Sequence, residues 1–246
     1  MKPSKKLKTK NYKLKTKNHL VVILLGPPGS GKGTQAELLA EKLNFCHVES
    51  SEIIEKHLAK AKKDNFVIVK GKKYFLLEEK KLRESGKLTS FPLITFWMTS
   101  KIKELAKEGK GITASGWPRS LYEIKEEMPI FKRFYGKKNI KVILIELSDR
   151  EVIWRNAHRK TCELMRHPIL HSKETAKFTR CPFDGSKLLI RKDDTPDAIK
   201  MRLKEYRKNT LPLIDYFKKQ GIKVKKINGS PSPATVFKAI LKVLKF

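Results

Sequence analysis

Residues 19–35, HLVVILLGPPGSGKGTQ, constrain the fold more than any other stretch of this chain. The apolar run is short, rich in β-branched residues and free of polar alternation, the pattern of a strand buried on both faces of a parallel sheet. Glycines follow at once, and AELLAEKLN then continues as an amphipathic helix. A glycine loop between such a strand and a helix lets the backbone wrap closely around phosphates, with the N–H groups of the helix start aimed at them. Lys32 adds a point charge. The candidate phosphate-binding residues are therefore Gly26, Pro27, Pro28, Gly29, Ser30, Gly31, Lys32, Gly33 and Thr34.

The same rhythm continues along the chain. FCHVES, GITAS, KVILIELS and IKVKKIN read as further strands, and helical patterns occupy residues 52–63, 92–108 and the stretch after Pro118. NFVIVKGKKYFLLEE reads as a hairpin turning near Gly71, AIKMRLKEYRKNTLPLIDYFKKQG as one long helix, and SPATVFKAILKVLK as the closing helix. Alternating strands and helices predict an α/β fold with a central parallel sheet covered on both faces. Residues 156–190 break the rhythm and contain two of the three cysteines, which marks an insertion.

The formal charge of +31 raises the question of nucleic acid. Lysines displace counterions from phosphate backbones, but here they are spread throughout the chain and no base-reading module accompanies them. Lysine filling every solvated face accounts for most of the charge. Arginine is more selective: eight of the 11 lie between Arg150 and Arg207. Where lysine is the default cation, clustered arginine points to planar, bidentate phosphate recognition. Residues 1–18 carry eight lysines, a repeated KLKTKN and no acid, and read as a disordered basic tail. No run is long enough to span a bilayer, and no secretory signal is evident. Three unevenly placed cysteines make no disulfide framework, so a reducing cytoplasm is expected, and the chain is expected to be a monomer.

In GPPGSGKGTQ, Gly33 separates Lys32 from Thr34, and this spacing resembles the nucleoside monophosphate kinases, above all adenylate kinase, whose loop reads G-x-P-G-x-G-K-G-T. GWPRS is similar to that family's D-G-F-P-R, GKLT to its G-K-L-V, RKDD to its R-x-D-D, and RLKEYRKNTLPLIDYF to its R-L-x-x-Y-x-x-x-T-x-P-L-I-x-Y-Y. The likeness covers most of residues 19–246. It implies a P-loop core (19–48, 92–155 and 191–246), an acceptor-binding insertion (49–91) and a lid (156–190). The implied reaction is reversible transfer of the γ-phosphoryl group of ATP, with Mg2+, to a nucleoside monophosphate, AMP first among them. Positioning and cationic clamps supply most of the catalysis in such a transfer. The resemblance assigns Lys32, Arg119, Arg159, Arg191 and Arg202 to the phosphates and Arg155 to the donor base. It brings Ser50, Lys56, Arg119 and Glu123 to the acceptor.

Three departures bear on these roles. ESSEIIE stands where the family has S-T-G-D-x-x-R, so Glu55 occupies the place of an AMP-binding arginine, and Lys56 or another cation must substitute. Glu123 stands where the family reads adenine with glutamine. An ionised glutamate only accepts hydrogen bonds, whereas guanine offers two adjacent donors, so an acceptor other than AMP competes. Ser115 stands where the family has an aspartate that helps to hold hydrated magnesium. A non-catalytic nucleotide-binding protein with an RNA- or ribosome-associated role is the alternative these departures leave open.

The lid raises a metal question. Many bacterial members carry zinc there on two Cys-x-x-Cys or Cys-x-x-Asp pairs. Here Cys181 and Asp184 preserve the second pair, while the first has Cys162 followed by Met165, a poor zinc ligand. His167 would complete a set of Cys162, His167, Cys181 and Asp184, with His171 as another option. A metal-free lid with two buried cysteines is the alternative.

Overall fold

The computed structural model describes residues 20–85, 87–165, 168–190 and 194–246. The expected basic tail, Arg166, His167 and Arg191 lie outside the described residues. At the centre is β1 (Val21–Leu25), all five of whose residues are buried. Its alternation divides it between two cores. Val21, Ile23 and Leu25 enter one with Leu93, Trp97, Ile102 and Phe131, and Val22 and Leu24 enter the other with Ala36, Leu39 and Ile240. A period of two that is apolar on both sides requires a helical layer above and below. Removing one such buried side chain, as in Leu39→Ala, would cost about 2–5 kcal/mol.

The helical layers follow from this. α1 (Lys32–Leu43) and α9 (Pro233–Leu244) cover one face, and α4 (Phe91–Lys107), α5 (Leu121–Phe134) and α8 (Leu213–Lys219) the other. The sheet adds β2 (Cys46–Glu49), β5 (Ile112–Ser115), β6 (Ile140–Glu146) and β10 (Val224–Asn228), in the order β10-β6-β1-β5-β2 with every pairing parallel. The chain therefore crosses to β5 on one side of β1 and to β6 on the other. The crevice beyond the carboxyl ends of strands at such a reversal is where open α/β sheets bind ligands.

Two smaller sheets stand apart from the central one. β3 (Phe66–Val69) and β4 (Lys72–Phe75) form the expected hairpin, with positive φ at Lys70 and Gly71. Both central residues of a twist-matched two-residue turn require that conformation. The hairpin lies between α2 (Ser50–Leu58) and α3 (Leu76–Glu84). The second small sheet joins β7 (Lys160–Cys162), β8 (Pro168–Ile169) and β9 (Leu188–Ile190), after α6 (Asp149–Ala157).

One expected element is divided. The long helix over 198–221 is α7 (Pro196–Glu205), then a π turn over 206–210, then α8. Pro212 has no N–H to donate to a carbonyl one turn back. The wider turn absorbs the break, with the Leu211 N–H donating to the Tyr206 carbonyl at 2.9 Å. Among the described residues no helix is long and apolar enough to cross a membrane.

Candidate active site

The glycine loop joins β1 to α1 at the carboxyl edge of the sheet. Gly29 has φ +75°, and a Cβ there would meet the Asn156 Nδ2 at 2.3 Å, so the loop packs directly on α6. Gly31, also left-handed, is the N-cap of α1 and provides no capping side chain. The first turn of α1 contains no acidic residue. Its orphan N–H groups and positive dipole end are left to an outside anion.

Lys32 Nζ donates to the Pro27 carbonyl at 2.7 Å and to Ser30 Oγ at 3.4 Å, folding back over the loop. Burial lowers its pKa to about 7; Arg119 and Arg159 push the same way and Glu49 opposes them. A lysine brought to the edge of losing its proton by burial, with nearby cations adding to the effect, marks a site built for a polyanion.

Arg119 leaves the strand end through a turn whose Trp117–Pro118 peptide is cis. The turn is fixed from below by two buried carboxylates. Glu123 Oε2 accepts from the Arg119 N–H and the Ser120 hydroxyl, each at 2.8 Å. Glu127 Oε1 accepts from Trp117 Nε1 at 2.8 Å. Burial pushes Glu123 up, and pushes Glu127 well above the carboxylate range, where proximity to Glu123 adds to the effect. From above, Thr210 Oγ1 donates to the Arg119 carbonyl at 3.0 Å.

Beside this turn opens a cavity lined by Ser50, Ser51, Ile54, Arg83, Arg119 and Glu123, among others. Ser50 begins α2, and its hydroxyl reaches the Gly116 carbonyl at 3.4 Å. Glu123 is only 2% exposed, so it is no surface helix residue. Lys56 is exposed on α2 and does not line the cavity. Arg83, which the sequence did not single out, does, and its Nη2 donates to Glu55 Oε1 at 3.0 Å.

Ser115 is fully buried, and its hydroxyl pairs with His47 Nε2 at 2.8 Å. Glu49 is its register partner on β2. The carboxylate absent from position 115 thus has a counterpart on the neighbouring strand, close enough to act on Lys32 and Arg119. Nothing in the local sequence pattern signals this, because it depends on strand register.

On the other side of the loop, Asp194 binds two arginines. Arg159 donates to it through Nε at 3.1 Å and Nη2 at 2.7 Å, and Arg202 Nη2 donates at 2.9 Å. The Asp194 side chain is fully buried while both guanidinium groups reach solvent. Arg155 ties α6 to the turn after β10, donating to the Gly229 carbonyl at 3.0 Å and the Ser230 carbonyl at 2.8 Å.

In the three-stranded sheet, ligand atoms of Cys162, Cys181 and Asp184 all lie within 4.8 Å of one another. Cys162 Sγ donates to Asp184 Oδ2 at 3.0 Å, and this bond and those from Ser186 hold the Asp184 carboxyl well below its usual range. His171 instead packs on Trp154 and His158, with ring centroids at 5.4 and 5.0 Å. Met165 is exposed.

The family model for adenylate kinase matches residues 24–222. A protein of Methanothrix thermoacetophila named adenylate kinase is 34% identical over 227 residues, covering 91% of this chain and 97% of the relative. One from Mycoplasma mycoides subsp. mycoides, with the same name, is 31% identical over 198 residues, covering 80% and 86%. Another from Petrotoga mobilis is 29% identical over 228 residues, covering 91% and 97%.

Proposed function

This chain belongs to the adenylate kinase family and is an ATP-dependent nucleoside monophosphate kinase, and we propose that AMP is its acceptor. In this reading the γ-phosphoryl group leaves the β,γ-bridging oxygen of ATP, and a phosphate oxygen of AMP forms the new bond, giving two molecules of ADP. The observation that carries it is the glycine loop with Lys32 folded back over it at the carboxyl edge of the sheet, next to a cavity lined by Arg119 and a further arginine. Charge spread over phosphoryl oxygens is met by fixed cations and N–H groups, with little covalent chemistry required of the protein.

The loop from Gly26 to Thr34 and the start of α1 would hold the donor phosphates, with Arg155 toward the donor base. Arg119 lines the cavity and is close enough to act on the charge of Lys32, and so would bridge donor and acceptor. Arg159 and Arg202, set by Asp194, and Arg191 would close on the transferring group. Residues 49–91 would form the acceptor-binding part and 156–190 a lid that excludes water.

Magnesium fits the hard oxygen donors at the loop, the Thr34 hydroxyl and the Glu49 carboxylate. When bound with ATP it neutralises charge on the β- and γ-phosphates. Zinc fits the two thiols and the carboxylate of the lid. That sheet has little else to hold it, since its core is Cys162, Ile169 and Cys181 with Leu188 against them. The three free cysteines are in keeping with a reducing cytoplasm.

ADP formation from ATP and a panel of monophosphates tests the reading. AMP should be preferred, and Lys32→Ala should abolish transfer. Preference for GMP would replace AMP and give Glu123 the task of reading guanine. ATP binding without transfer to any nucleotide would overturn the reaction itself.

A further inference from the structure

The geometry points to Arg83, presented by α3 and held by Glu55 of α2, as the residue that grips the acceptor's phosphate opposite Arg119. This rests on the reaction proposed above and names how its acceptor is held. Glu55 by itself would repel a phosphomonoester. Paired with Arg83 at 3.0 Å, it becomes an anchor that fixes the direction of a guanidinium.

Three observations support the assignment. Arg83 lines the same cavity as Arg119, Ser50 and Ser51, and a third of its side chain remains exposed. A bridge through one Nη2 leaves much of its planar donor fork for a second partner, and that fork matches the spacing of phosphate oxygens. Arg83 and Arg119 also sense one another as like charges across the cavity. Two guanidinium groups directed at one space repel unless an anion lies between them.

The pair is not placed to stabilise the fold. Both side chains are substantially exposed, and such ion pairs contribute little to stability. An exposed pair at the rim of a binding cavity is better explained by what it orients. Glu55 is thus a positioning residue and Arg83 the contact residue. The dianionic phosphate of a nucleoside monophosphate is the ligand class.

The test compares AMP with adenosine, which lacks the phosphate, by equilibrium binding, alongside steady-state kinetics. Arg83→Ala should weaken AMP binding by about tenfold or more. Adenosine affinity and the KM for ATP should stay within about twofold, a change too small to reflect loss of a charged contact. Arg83→Glu alone should bind AMP worse still, and the exchange Glu55→Arg with Arg83→Glu should recover much of the loss. Glu55→Ala should raise the KM for AMP more than it lowers kcat. Unchanged AMP affinity in Arg83→Ala, or equal weakening of AMP and adenosine, would overturn the assignment. If the wild-type protein phosphorylates AMP while Arg83→Ala behaves identically, only this inference fails. If the wild type phosphorylates no monophosphate, the proposed reaction fails first.

Discussion

His47 Nε2 and the Ser115 hydroxyl meet at 2.8 Å across the β2–β5 pairing, His47 standing two residues before Glu49, the register partner of Ser115. The contact closes a polar gap in an apolar sheet, since Ser115 is 1% exposed and its neighbour Ala114 is fully buried. Ser115→Ala leaves the half-buried imidazole without this partner, which should cost about 0.5–1.5 kcal/mol, the net worth of a typical hydrogen bond. For a chain of this size that corresponds to a fall in Tm of roughly 2–4 °C per kcal/mol. Thermal unfolding followed by circular dichroism should show the drop. An unchanged midpoint would mean the pair contributes nothing.

Glu49 gives a second prediction. If its carboxylate substitutes for the one missing at Ser115, Glu49→Gln should raise the Mg2+ needed for half-maximal ATP binding on the order of tenfold, the usual penalty for losing an outer-shell carboxylate. Ser115→Asp alone sets two carboxylates opposite each other on adjacent strands and should destabilise the sheet. The double variant Glu49→Gln with Ser115→Asp should regain both stability and Mg2+ sensitivity. Magnesium titrations of nucleotide binding, read by calorimetry, separate this from an effect on rate. Equal Mg2+ demand in wild type and Glu49→Gln would rule the role out.

Features carried by local pattern are legible in the sequence. The buried strand, the glycine loop, the hairpin at Gly71 and the Pro118 turn each depend on neighbours a few residues away. The residues that were missed reach the site through register or helix packing. Glu49 meets Ser115 only because β2 pairs with β5. Arg83 meets Glu55 from 28 residues along the chain. Lys56 was favoured for its place next to Glu55. On a helix, however, consecutive side chains point about 100° apart, so a sequence neighbour is a poor spatial substitute. The cavity is lined instead by Arg83, from another helix. The divided 198–221 helix has a similar lesson, because the effect of Pro212 reaches backward into residues that read as helical.

Lys32 should take up a proton when a polyphosphate binds. Its pKa of about 7 in the ligand-free site means the ammonium is mostly lost by pH 8, while phosphates beside it restore the charged form. Proton uptake on ATP binding should thus be small near pH 6 and approach about one proton near pH 8.5, measured by calorimetry in buffers of different ionisation enthalpy. Lys32→Ala should remove the uptake. Because Glu49 holds the Lys32 pKa up, Glu49→Gln should move its onset to lower pH. Uptake independent of pH would show that Lys32 keeps its charge throughout.

Asp194 should matter for both rate and stability. Its buried carboxylate holds Arg159 and Arg202 together, and without it two like charges would be left adjacent. Asp194→Asn should cost about 1.5–3 kcal/mol in urea unfolding, the range for hydrogen bonds to charged groups. It should also lower kcat by about tenfold or more, since misplacing a transition-state cation costs rate. The KM for AMP should change less. A variant with lower stability and normal kcat would make Asp194 a packing element with no part in positioning.

The three-stranded sheet supplies the last test. Among the described residues, Cys162 and Cys181 form much of the core of that small sheet, with Asp184 beside them, so a metal there would be structural in effect. Purified protein should contain zinc at one ion per chain, and Cys181→Ala should contain none. A chelator should make residues 160–190 sensitive to protease while the central sheet stays protected. Retention should weaken as pH falls, because metal binding needs deprotonated thiols and burial pushes the Cys181 thiol up. Asp184, held low by the Cys162 hydrogen bond, should stay ionised across that range and set no limit on it. Zinc-free wild-type protein in which residues 160–190 are equally resistant would mean that thiol packing alone holds the sheet, and that the Cys162–Asp184 contact is structural as it stands.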